Sequence, residues 1–212
     1  MRVPAALLIA MVCTVTPVLP QAASPPATGS PIDVVVSASW MSPNLDPVFD
    51  AYAGLEQGLG LRRWKNDGIR YSAGAEVRYR LMSDQQVVVE GSASGSYRKL
   101  ETDASMIGLY RAGAGYRMRF INDPVDVAAQ ATLGAQWVNF SRTYNDDRLE
   151  INDTKAGVYV SLGATVGKAL LRNFGVEGSL RYLFVPALDL DALKASVNPG
   201  GIAASIGFVL TL

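Results

Sequence analysis

Along most of the chain apolar and polar residues alternate with period two, the pattern of a strand with two unlike faces. Residues 69–81 show it without interruption. Ile69, Tyr71, Ala73, Ala75, Val77, Tyr79 and Leu81 share one face. Arg70, Ser72, Gly74, Glu76, Arg78 and Arg80 share the other. The pattern predicts eight strands: about 50–63, 69–82, 86–98, 105–120, 125–140, 156–169, 175–186 and 201–212. Most have 12 to 16 residues, beyond the roughly 5–6 of an ordinary strand and enough for a tilted membrane crossing of about 9–11. The connections alternate too. Ser83–Gln85, Asn122–Pro124 and Arg172–Gly175 read as tight turns, and polar stretches near 64–68, 99–104, 141–155 and 187–200 read as longer loops. Short turns on one rim and long loops on the other are the asymmetry of a transmembrane barrel. The expected fold is all-β: an eight-stranded antiparallel up-and-down transmembrane β-barrel.

The segment before the alternation has a different character. Met1-Arg2, the apolar run 5–18 and the small residues near Ala22-Ala23 have the layout of a secretory signal peptide. The expected division is a signal peptide over 1–23, a periplasmic lead-in over 24–48 and the barrel over 49–212. Within the lead-in, 32–40 could form a short strand. A ninth strand would spoil the even count, so its place is left open. Cys13 falls in the signal segment, which leaves the exported chain without cysteine.

Composition decides which face is outside. A soluble ligand-carrying barrel also has eight strands, with an apolar interior. Here the polar face holds Gly, Ser, Thr, Glu and Arg, and 14 of the 19 basic residues are Arg, the residue suited to paired, partly buried ion networks. Aromatics on the apolar face gather near strand ends: Tyr71, Tyr79, Tyr97, Phe120, Trp137, Tyr182 and Phe184. That distribution forms two girdles around an aliphatic band, so the apolar face meets lipid.

A narrow barrel is filled by its side chains, and charges there must be paired. The expected core ion network is Glu56, Glu76, Arg78, Glu90, Arg111, Arg117, Glu177 and Arg181. A turn centred on Asp84 would set Glu90 opposite Arg78, with Arg117 approaching from the other side. The network reads as structural, holding the barrel closed; a gate or proton-permeable core is the alternative. The glycines of Gly54-x-x-x-Gly58-x-Gly60 and Gly113-x-Gly115 read as inward strand positions rather than nucleotide loops.

The chain has no histidine, which excludes His-based catalysis and His metal ligands. No catalytic residue, cofactor or metal is expected. Nineteen basic and nineteen acidic residues argue against nucleic acid as a partner.

The closing strand 201–212 carries Ile202, Ala204, Ile206, Phe208, Leu210 and Leu212 on one face. With the preceding strands it resembles the small OmpA/OmpX-type outer-membrane barrels, the outer membrane beta-barrel domain group, over about residues 50–212. The resemblance implies location in a Gram-negative outer membrane and contact with its lipid and lipopolysaccharide. It also implies insertion by the barrel-assembly machinery and a monomeric state. Such chains usually end in an aromatic residue; this one ends in Leu212, with Phe208 the nearest aromatic. The implied role is structural or one of surface interaction. A narrow porin is the alternative, and a lipid-modifying enzyme a more distant one.

Overall fold

The computed structural model describes residues 31–61, 71–100, 103–144 and 149–212. The expected signal peptide lies outside them. Among the described residues, eight long antiparallel strands close into a barrel. They are β1 (Ile32–Met41), β2 (Tyr71–Arg80), β3 (Gln85–Leu100), β4 (Asp103–Asn122), β5 (Asp126–Tyr144), β6 (Leu149–Leu171), β7 (Phe174–Phe184) and β10 (Gly201–Thr211). Each pairs with its neighbour in sequence, except that the β8 (Leu188–Leu190) and β9 (Ala195–Val197) hairpin stands between β7 and β10. β1 pairs with β10 to close the cylinder, from Asp33 opposite Thr211 to Met41 opposite Ala203.

The outward face is apolar across the membrane band. Trp40 pairs with Tyr71, and Tyr110 with Trp137, in the upper girdle. Phe174 stacks on Phe208 at 5.7 Å in the lower one. Val36, Ala75, Val89, Leu133, Leu180 and Ile206 face outward between them.

The first strand is not where the alternation placed it. The expected strand 50–63 is replaced, over its described residues, by a helix and its cap: Asp46–Leu59 is α1. Residues 32–41, expected as part of the lead-in, supply β1 instead, so the even count is kept. The helix has clear local causes. Pro47 sits in its first turn with Asp46, favourable at the positive end of the dipole. Val48, Phe49, Tyr52 and Glu56 lie on one buried face. Gly60 ends it in the left-handed conformation, φ 68°. There Leu61 N–H donates to Glu56 O at 2.8 Å and Gly60 N–H to Gln57 O at 3.3 Å. Gly54, Gly58 and Gly60 therefore belong to a helix and its cap, not to a strand.

The expected loop 141–155 is also largely strand, because β5 runs to Tyr144 and β6 begins at Leu149. Here the alternation continues with a changed outer face. Asn139, Ser141 and Thr143 on β5, and Asn152 and Thr154 on β6, point outward above Trp137. Beyond Trp137 the outer face is thus polar where lower down it is apolar. The inner face of this tall wall is largely apolar, with Val138, Phe140, Tyr144 and Ile151 buried beside the charged Arg142 and Asp153. α1 and the β8–β9 hairpin pack against it through Val48, Phe49, Leu190 and Val197. The result is a cap inside the long-loop rim.

Candidate functional site

The lumen below the cap is filled by hydrogen-bonded charges in layers. At the short-turn rim, Asp33 accepts from Thr211 Oγ1 at 2.7 Å and Gln86 Nε2 at 2.9 Å. Arg119 and Arg80 flank it at 3.5 and 3.9 Å. Arg117, wholly buried, donates to Gln86 Oε1 at 2.7 Å, Thr165 Oγ1 at 3.0 Å and Asp126 Oδ2 at 3.1 Å.

One level up, Arg78 of β2 reaches across the lumen to Glu177 of β7. Its Nη1 lies 2.7 Å from Glu177 Oε2 and its Nη2 donates to Oε1, while its Nε donates to Glu76. Glu76 and Glu90 are directly opposite each other on β2 and β3. Like charges in that relation repel. Arg181 of β7 resolves the conflict: Nη1 lies 2.5 Å from Glu90 Oε2 and Nη2 2.8 Å from Glu76 Oε2. One guanidinium fork thus clasps two carboxylates from adjacent strands. Thr132 and Tyr159 hydroxyls each donate to Glu90 at 2.8 Å, and Gln130 to Glu76 at 3.0 Å.

Tyr159 finds room because Gly113 and Gly134 face each other across β4 and β5 beneath its ring. A Cβ on Gly134 would stand 2.7 Å from Tyr159 Cε1 and 2.6 Å from Gly113 Cα. Arg111 sits higher, with Nε 2.6 Å from Gln136 Oε1 and Nη2 3.3 Å from Pro199 O.

The cap has its own buried charges. Arg142 donates to Glu56 Oε1 at 2.5 Å, Tyr144 to the same oxygen at 2.7 Å, and the Arg142 guanidinium lies 3.9 Å over the Tyr52 ring. Burial pushes the Tyr52 phenol up to about 12, against the pull of Arg142, and burial with the Glu56 hydrogen bond also raises Tyr144. Outside the cap, Lys155 bonds Asp191 at 2.5 Å. That bond is the main cause of its raised pKa, and it ties β6 to the turn of the β8–β9 hairpin.

The structure therefore joins Glu76, Arg78, Glu90, Arg117, Glu177 and Arg181 in one lumenal network. Glu56 is not among them, because it lies on α1 and belongs to the cap. Arg111 lines the lumen with no carboxylate in bonding range among the described residues. The expected facing of Glu90 and Arg78 does not occur: Arg78 stands opposite Val88. Leu81 and Met82 N–H both donate to Gln85 O, at 2.9 and 3.2 Å. The unbroken register from Ala73 opposite Ala93 to Arg80 opposite Gln86 centres the hairpin on Ser83 rather than Asp84. Sequence reading missed Asp33 and Asp126, which it assigned to the lead-in and a strand end, together with Arg142. Asp33 carried a usable signal, since it alternates in phase with Val35, Ser37 and Ser39.

Among the described residues no group of three or more His, Cys, Asp or Glu is placed to hold a metal ion. What the arrangement does is mutual neutralisation: carboxylates from β1, β2, β3, β5 and β7 are bonded to arginines from other strands.

The barrel is similar to that of Neisserial surface protein A, with TM-score 0.54 and 16% identity, over 88% of this chain and all of that one. It is likewise similar to Ail, the attachment invasion locus protein of Yersinia pestis, in complex with the heparin analogue sucrose octasulfate. There the TM-score is 0.53 and the identity 15%, over 85% of this chain and 96% of that one. At such identities the likeness is one of fold. No curated protein matches the chain. A family match covers residues 5–200. By that match, and with a closed eight-stranded barrel to agree, the chain belongs to the outer membrane protein beta-barrel domain family.

Proposed function

We propose that this protein is a closed, non-conducting barrel of the outer membrane that acts at its outer rim, in envelope integrity or surface contact. The observation that carries the reading is the double obstruction of the lumen. Six arginines and their partners fill it at membrane depth, and α1 with the β8–β9 hairpin covers its upper end. A solute path would have to break both. The polar outer face of β5 and β6 above the girdle presents a hydrogen-bonding surface to whatever meets the cell. Ail, of the same fold, holds a sulfated heparin analogue, which supports a surface-contact role for barrels of this shape. The absence of histidine from the sequence supports a non-catalytic role.

On this reading the 1–23 segment directs export. The assembly machinery inserts the chain as a monomer, and lipid with lipopolysaccharide surrounds it. Planar-bilayer recording tests the central claim: purified protein is expected to add no steady current to the bare bilayer. A stable ohmic conductance from the wild-type barrel would instead make it a narrow porin.

A further inference from the structure

Among the described residues the lumen below the cap holds six arginines, Arg78, Arg80, Arg111, Arg117, Arg119 and Arg181, against five carboxylates, Asp33, Glu76, Glu90, Asp126 and Glu177. Five of the arginines have a carboxylate within 3.9 Å. Arg111 is the surplus. Its Nε and Nη2 reach only the neutral acceptors Gln136 Oε1 and Pro199 O, and its Nη1 has no protein partner among the described residues. It lines an internal cavity of about 80 Å³ with Ser39, Ser72, Ser92 and Ser161. The two carboxylates bordering the cavity, Glu76 and Glu90, are held by Arg181. Two further buried donors nearby lack acceptors: Arg181 Nε, on the cavity wall, and Gln136 Nε2, beside Arg111. Among the described residues Arg111 thus has no carboxylate partner, and two donors beside it have no acceptor, in a protein interior where an unmatched charge is strongly unfavourable.

We infer that this cavity is a binding site for one small inorganic monoanion of chloride size. Arg111 Nη1 supplies the charge-assisted donor, and serine hydroxyls, which rotate to donate, complete the shell. The occupant cancels the surplus charge without disturbing the paired layers below.

The test is thermal unfolding of the full barrel in detergent at constant ionic strength, with gluconate, too large for the cavity, exchanged stepwise for chloride or bromide. Wild type is expected to gain melting temperature saturably with either halide. Arg111→Gln is expected to lose that response and, in gluconate alone, to melt above wild type, since it removes an unmatched charge. Arg111→Lys, which keeps the charge with fewer donors, is expected to respond at higher halide. It also serves if the Gln variant does not fold. Bromide-soaked crystals should show an anomalous peak beside Arg111. Identical melting of wild type in chloride and gluconate, or an undiminished halide response in Arg111→Gln, would overturn the proposal.

Discussion

Replacing Arg181 with Met would remove the clasp between two carboxylates that the sheet holds side by side. Glu76 and Glu90 are cross-strand partners, a relation that brings side chains to about 5 Å. Two unit charges at about 5 Å repel by about 3 kcal/mol at an effective dielectric constant of about 20. Glu76 keeps Arg78 and Gln130, but Glu90 keeps only neutral donors from Thr132, Tyr159 and Gln130. The side chains of Arg181 and Glu90 are 17% and 15% exposed, so water screens the loss only in part. Arg181→Met is therefore expected to destabilise the barrel by about 3–5 kcal/mol, the range for breaking a buried pair. Glu90→Gln in the same chain removes the repulsion, and the double variant is expected to lose less than the two singles together, by at least about 1 kcal/mol. Urea unfolding in lipid vesicles measures all four corners of the cycle. Additivity within about 0.5 kcal/mol, together with strong coupling between Glu90 and Arg78, would refute the clasp and restore a hairpin centred on Asp84.

Other consequences are as open to measurement. Ala75→Arg places a charge against lipid and is expected to cost about 2–4 kcal/mol if Ala75 lies at the bilayer midplane. Ser72→Asn, on the lumenal face of the same strand, should cost less in the same urea titration. Gly134→Ala forces a methyl group against Tyr159 and Gly113 and is expected to lose about 1–3 kcal/mol. In the cap, Tyr52 is held neutral by burial. Its folded pKa of about 12 lies above its ordinary 10, so its contribution is full below pH 10 and is lost as pH rises through about 12. Tyrosinate absorbance should show it ionising after the exposed tyrosines, and Tyr52→Phe should take one phenol out of that late rise, leaving Tyr144. A tag after Asp147 should be reached by antibody on intact cells and a tag at Asp84 should not; the opposite result would invert the barrel in the membrane.

The alternation of residues 69–81 was enough to identify β2, its faces and the lipid side, because period two is local and a single strand expresses it. β1 and α1 were exchanged for a related reason. Between Asp46 and Gly60, Tyr52, Gly54 and Glu56 alternate with Ala51, Ala53 and Leu55, so a helix with small residues imitates a strand. Asp46-Pro47 and Gly60 were the local marks that told otherwise. The tops of β5 and β6 looked like loop because polarity was read without phase: Ser141, Thr143, Asn152 and Thr154 are polar for standing above the lipid, not for leaving the sheet. The network's members were mostly legible as inward charges. Their pairing was not, since Arg78 and Glu177 lie 99 positions apart and meet only through closure of the cylinder.

That closure has a kinetic side. The β3–β4, β4–β5 and β5–β6 pairs join neighbours in sequence through short connections and can form early. The β1–β10 seam joins the two ends of the described chain, and Thr211 meets Asp33 across 178 positions, so it comes late. The bonds of Arg78 to Glu177 and of Arg181 to Glu76 and Glu90 depend on the same event, because β7 faces β2 and β3 across the lumen once the sheet has closed. A partly assembled sheet therefore carries its charges without partners and its edges without mates, both unfavourable in hydrocarbon. The penalty is lifted at once when the seam forms. Closure of the cylinder and pairing of its charges are thereby one event, since these arginines meet their carboxylates across the lumen only with the last strand in place.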